Sequence, residues 1–157
     1  MTGKKKVVTG FFVAIALTGV TLFVRPSLVF SHCQIPCGIY DDDARFASMA
    51  EHITTIEKSM KEILRLTTED PANNNQIVRW VVNKENHANK LQEVVAQYFM
   101  TQRIKLDAKD YVKEITLLHK MLVYAMKCKQ TTDVAHVEVL RSLLKDFEAL
   151  YFGKGGK

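Results

Sequence analysis

An all-α chain folded as an up-down four-helix bundle is what this sequence predicts, and three observations carry the prediction. From Asp41 onward apolar residues recur at steps of three and four, with almost no alternating pattern. Four such stretches are joined by short connections, and short links between amphipathic helices favour antiparallel neighbours. Apolar residues make up 47% of the 157 positions and charged residues 25%, a balance that supports one packed core and argues against disorder.

The first helix carries Phe46, Met49, Ile53, Ile56, Met60 and Ile63, with Asp41, Asp42 and Asp43 as candidate caps and dipole partners at its start. The second is predicted to open at Asp70-Pro71, a cap followed by a proline tolerated in a first turn, and to bury Ile77, Val81, Ala88, Leu91, Val95 and Tyr98. Asp107 caps the third, which carries Tyr111, Ile115, Leu118, Leu122 and Ala125. Thr131 or Thr132 caps the fourth, which carries Val137, Leu140, Leu144, Phe147 and Tyr151. The bundle is thus expected over residues 41–152, with residues 153–157 as a flexible tail.

Ahead of the bundle the pattern changes. Lys4-Lys5-Lys6 precedes Val7 to Val24, eighteen residues without a charge, which reads as a positive region feeding an apolar, membrane-inserting leader helix. That length permits either a cleaved signal or a retained anchor. Val29-Phe30-Ser31 then offers modest or small side chains at the minus-three and minus-one positions of a cut before His32. Residues 1–31 are therefore expected to be removed as the chain is exported, by a leader-processing protease, after transient membrane contact through residues 7–24.

The formal charge of +5 sits mostly in this leader, which holds Lys4, Lys5, Lys6 and Arg25 and no acidic residue. The remainder is close to neutral and has no basic stripe of the kind nucleic-acid binding needs. Helical bundles host many functions, but two are excluded by spacing. Neither the Glu-x-x-His pairs of di-iron bundles nor the Cys-x-x-Cys-His of c-type haem attachment occurs.

Residues 32–40, His32-Cys33-Gln34-Ile35-Pro36-Cys37-Gly38-Ile39-Tyr40, are rich in ligand types and contain a turn-forming Pro36 and Gly38. After a cut before His32, the new α-amine, the backbone nitrogen of Cys33 and the Cys33 thiolate would close two fused five-membered chelate rings. A second thiolate, from Cys37, is folded back by the turn at Pro36. Four in-plane nitrogen and sulfur donors suit a square-planar d⁸ ion such as Ni(II) better than tetrahedral zinc. The His32 imidazole can reach an axial position, where a fifth donor favours the oxidised ion.

The pattern His-Cys-x-x-Pro-Cys-Gly-x-Tyr resembles the metal hook of the nickel superoxide dismutase family, and residues 32–40 fill each fixed position. Weaker similarity extends through Arg79, Lys84-Glu85 and Tyr98-Phe99. The resemblance implies a removed leader, a four-helix bundle, a homohexamer with one nickel ion per subunit, and His32, Cys33 and Cys37 as metal ligands. It implies alternation of Ni(III) and Ni(II), with one superoxide oxidised to dioxygen and the next reduced, with two protons, to hydrogen peroxide. Tyr40 resembles the family's gate, holding the small anion near the open axial face. Two features depart from the pattern: the segment after Tyr40 is about a residue shorter, and His87 stands where an arginine contacting the axial imidazole is expected.

Without the surrounding motif, Cys33 and Cys37 would read as a disulfide or a zinc pair. The competing function is accordingly a membrane-tethered helical interaction or sensor module with a Cys33–Cys37 disulfide. Cys128 reads as an unpaired thiol without a role. His52, His87, His119 and His136 fall on the helices without metal spacing and read as surface or packing residues. Trp80 and Met49, Met60, Met121 and Met126 read as core or subunit-contact residues, and Asp41-Asp42-Asp43 as a helix start, since no EF-hand pattern follows.

Overall fold

The computed structural model describes residues 40–153. These form four α-helices: α1 (Asp42–Thr67), α2 (Asn74–Glu93), α3 (Tyr111–Gln130) and α4 (Ala135–Gly153), with a π-helical extension of α2 over Val94–Arg103. Each helix packs against its neighbours in sequence, and α4 closes the ring against α1. Contacting pairs run in opposite directions: Asp42 meets Tyr98 while Ser59 meets Asn83, and Asp42 meets Tyr151 while Glu57 meets Arg141. The expected up-down four-helix bundle is what forms.

Its core is the set of apolar stripes. Phe46, Met49, Ile53, Ile56 and Met60 from α1 meet Ala88, Leu91, Val95 and Phe99 from α2 and its extension. Leu118, Met121 and Ala125 from α3, and Val137, Leu140 and Phe147 from α4, complete it. Aromatic rings gather at one end, where Phe147 lies 5.4 Å from Phe46, 5.1 Å from Phe99 and 5.6 Å from Tyr151, centroid to centroid. Met49, Met60 and Met121 are fully buried, whereas Met126 is exposed and Trp80 packs at the surface beside the Lys58 ammonium.

Helix starts depart from the sequence expectation in three places. The side chain of Asn73, not Asp70, accepts from the Gln76 N–H at 3.3 Å, and Asp70-Pro71 lies in the turn before α2. Asn73 wins because a cap must reach free N–H groups two or three residues ahead, and Pro71 ends too early to begin this helix. Helix α3 starts after Asp110 rather than Asp107, and the Asp110 carboxylate takes the Lys113 ammonium at 3.1 Å instead of capping. Before α4, Asp133 accepts from Ala135 N at 3.0 Å, while Thr131 accepts from Asp133 N at 3.2 Å and so orders the capping residue. At the other end α4 runs one residue further than expected, through Gly153.

The buried stripe of α2 also differs. Val81 is exposed and Ile77 half-buried, because the first turns of α2 extend past the facing core. Lys84 is buried instead, and its ammonium donates to the carbonyls of Lys129 at 2.6 Å and Thr131 at 3.2 Å. A cation is favoured there, since the last carbonyls of α3 lack helical partners and carry the negative end of its dipole. Burial lowers the lysine's pKa, with Glu85 and Cys128 opposing. Cys128 is a free thiol with no surface exposure, pushed up to about 11 by burial, so it behaves as a small core residue.

Replacing Phe147 with Ala is expected to cost about 3–5 kcal/mol, the range for deleting a fully buried ring. Urea unfolding followed by circular dichroism checks this. A loss below about 1 kcal/mol would contradict the central place given to the aromatic cluster.

Candidate functional site

His32, Cys33 and Cys37 lie outside the described residues, as do the leader and the tail residues 154–157. Tyr40, the last residue of the hook, is the first one described, and its surroundings define where the hook joins the bundle. Asp41 caps α1, its carboxylate accepting from Ala44 N at 2.9 Å. This fixes the chain direction immediately after Tyr40.

Asp42, one residue on, gathers the end of the bundle. Its carboxylate accepts from the Tyr98 hydroxyl at 2.6 Å, from Arg103 Nε at 2.8 Å and Nη2 at 2.6 Å, and from the Tyr151 hydroxyl at 2.9 Å. Burial works to raise the Asp42 pKa. The hydrogen bonds from Arg103, Tyr98 and Tyr151, with the charge of Arg103, outweigh it and hold the carboxyl below its ordinary value. Tyr98 is pushed up to about 12 by burial and then by its bond to Asp42, and Tyr151 is raised for the same reasons. The bidentate bond to Asp42 raises Arg103, with burial working the other way. Both phenols and the guanidinium are therefore donors throughout the neutral range.

The π-helical extension makes this convergence possible. Tyr98 and Arg103 are five residues apart, a separation that α-helical winding at 3.6 residues per turn would place on different sides. Bonding from residue i to i+5 stacks them one above the other, so both reach Asp42. Ile104 N donates to Phe99 O at 2.9 Å, and the side chains of Thr101 and Gln102 donate to the carbonyls of Ala96 at 2.7 Å and Gln97 at 2.9 Å, each across five residues.

Anchored this way, Arg103 lies over the Tyr40 ring, with its central carbon 4.3 Å from the ring centroid. Tyr98 meets Tyr40 edge-on at 6.1 Å, and the Arg45 guanidinium stands 5.1 Å from the Tyr98 centroid. A cation over a phenol face is attracted by the ring quadrupole and limits how the ring can turn. Tyr40 nevertheless retains 39% of its surface, so its phenol is accessible to a small solute.

Sequence reasoning missed the roles of Asp42, Arg103 and Tyr151; the available signal was an acid at the start of one helix matched by an arginine at the end of the next. It also placed His52 and His87 apart, whereas the structure brings them together, Nδ1 to Nδ1, at 3.1 Å. Among the described residues no group of three or more His, Cys, Asp or Glu side chains is arranged to hold a metal ion. The donor set whose chemistry fits nickel is the one in residues 32–37: one imidazole, a potential free amine and two thiols.

A four-helix bundle preceded in sequence by such a donor set defines a small helical metalloprotein. The model of the nickel-containing superoxide dismutase family matches residues 27–154, and the chain belongs to that family. No curated protein and no solved structure matches it. The protein is therefore an oxidoreductase, a superoxide dismutase that uses nickel.

Asp42→Asn is expected to lower stability at neutral pH by about 2–3 kcal/mol, because it weakens charge-assisted bonds and leaves Arg103 without its counter-ion. A carboxyl whose folded pKa is depressed contributes fully above its unfolded pKa and loses that contribution as pH falls through the folded value. The gap between the two proteins should therefore be constant well above the ordinary carboxylate range and narrow as pH falls through and below it. Urea midpoints measured across that range test the sign, and a gap undiminished in acid would assign the effect to shape instead of charge.

Proposed function

We propose that residues 32–40 become the catalytic hook once the leader is cut before His32. In this reading the His32 α-amine and imidazole, the Cys33 backbone nitrogen and thiolate, and the Cys37 thiolate hold one nickel ion per chain. Nickel so bound supplies a one-electron Ni(III)/Ni(II) couple for the oxidation of one superoxide and the reduction of the next. Two thiolates and an ionised amide are strong anionic donors, and they bring that couple within reach of both half-reactions. The observation that carries the proposal is the family match, whose span of residues 27–154 takes in both residues 32–40 and the bundle.

The chain's own groups have defined tasks in this scheme. Tyr40 would hold the small anion close to the metal through its exposed phenol, and Arg103, lying over that ring, keeps positive charge beside it. Asp42 fixes Arg103 and the root of the hook together, so the gate is positioned by the bundle and not by the hook alone. Export with removal of residues 1–31, a leader-processing protease, transient membrane contact through residues 7–24 and assembly into a homohexamer belong to the same proposal.

Three outcomes test it. Amino-terminal sequencing of the protein from its native host should begin at His32, and a sequence starting at or near Met1 would defeat the proposal. The uncut precursor should show no dismutase activity even with excess nickel, because its would-be amine is tied up as an amide. Cys33→Ser or Cys37→Ser should abolish dismutation while leaving helical circular dichroism intact, since the hook is separate in sequence from the core residues. Loss of helicity in either variant would show that these cysteines serve the fold.

A further inference from the structure

Between α1 and α2 lies an open cleft of about 400 Å³, lined by Thr55 and Lys58 from α1 and by Gln76, Arg79, Trp80 and Asn83 from α2. These residues step away from His52 and His87 toward the turn that joins the two helices, and none takes part in the bonds that hold Tyr40 and Asp42. The volume falls within the ordinary range of small-ligand clefts, roughly 300–1,000 Å³.

No lining residue is acidic, and two are cations. Among the described residues no hydrogen bond or ion pair reaches the Arg79 guanidinium, and the Lys58 ammonium has only the Trp80 ring, 5.8 Å from its centroid. Carboxylates on the same helices are committed elsewhere: Glu57 to Lys61 and Arg141, Glu62 to Arg65, and Glu85 to Lys84 and Lys129. The Thr55 hydroxyl donates to the Glu51 carbonyl at 3.0 Å, and the Asn83 amide donates to the hydroxyl of buried Ser59 at 3.0 Å. These ties hold the walls in place, while Arg79 and Lys58 set the charge.

A single surface cation needs no partner beyond water. Here two cations without a carboxylate share a concave site with a half-buried indole. A guanidinium fork donates to both oxygens of a carboxylate in parallel, and an indole offers a flat apolar wall. We infer that this cleft binds a small aromatic monocarboxylate, its carboxylate on Arg79 with Lys58 beside it and its ring against Trp80. An inorganic anion leaves the indole unused, and a neutral aromatic leaves both cations to water. Because both cations are exposed to solvent and screened by salt, the dissociation constant is on the order of 1 mM.

Trp80 is the only tryptophan in the sequence, so its emission reports on this cleft alone. Titrating the nickel-loaded enzyme with sodium benzoate at constant ionic strength should change that emission saturably, with benzamide and inorganic phosphate each at least about tenfold weaker. The benzoate and benzamide comparison needs no variant. Arg79→Gln should weaken benzoate binding by at least about tenfold, and the nickel–thiolate absorption should stay constant throughout. A response that does not saturate, equal binding of benzamide or phosphate, indifference to Arg79→Gln, or a nickel absorption that changes in step with Trp80 would overturn the inference.

Discussion

A carboxylate drawn partly out of water must be surrounded by donors, and the end of this bundle is arranged to meet that demand at Asp42. The donors come from residues 56, 61 and 109 positions away in sequence. One short side chain thereby ties the start of α1 to the end of α4 and to the extension of α2. Because Asp42 is two residues after Tyr40, fixing its carboxylate also fixes where the hook leaves the helices. Stability of the bundle and position of Tyr40 thus share one set of bonds.

What could be read from the sequence was whatever is local. The stripe Phe46, Met49, Ile53, Ile56, Met60 and Ile63 was legible because helical periodicity alone decides which side is buried, and every member of it is buried. The ligand-rich run at residues 32–40 was legible for a different reason: chelation by adjacent residues needs no knowledge of the fold. Asp42 hid behind a sufficient local explanation, since an acid in a first turn already suits the helix dipole. His52 and His87 could be joined only by knowing the register of α1 against α2. Lys84 broke the apolar pattern of α2, and its reason lies in the unpaired carbonyls of another helix.

The two halves of the protein divide their physics accordingly. In the proposed scheme the reactive atoms come from one short stretch, and helices far apart in sequence supply orientation and charge. Such a division lets the bundle change much of its surface without touching the metal ligands. It also concentrates sensitivity in the few side chains between them, of which Arg103 is the clearest, bonded to Asp42 on one side and stacked on Tyr40 on the other.

The wide-wound stretch Val94–Arg103 carries an evolutionary consequence. A π turn is equivalent to one extra residue accommodated inside a helix. Excising one residue between Tyr98 and Arg103 would restore ordinary winding and leave the two side chains four apart, still on one face. A change of length by one residue can therefore be absorbed inside this stretch as well as in the connection that follows, residues 104–110.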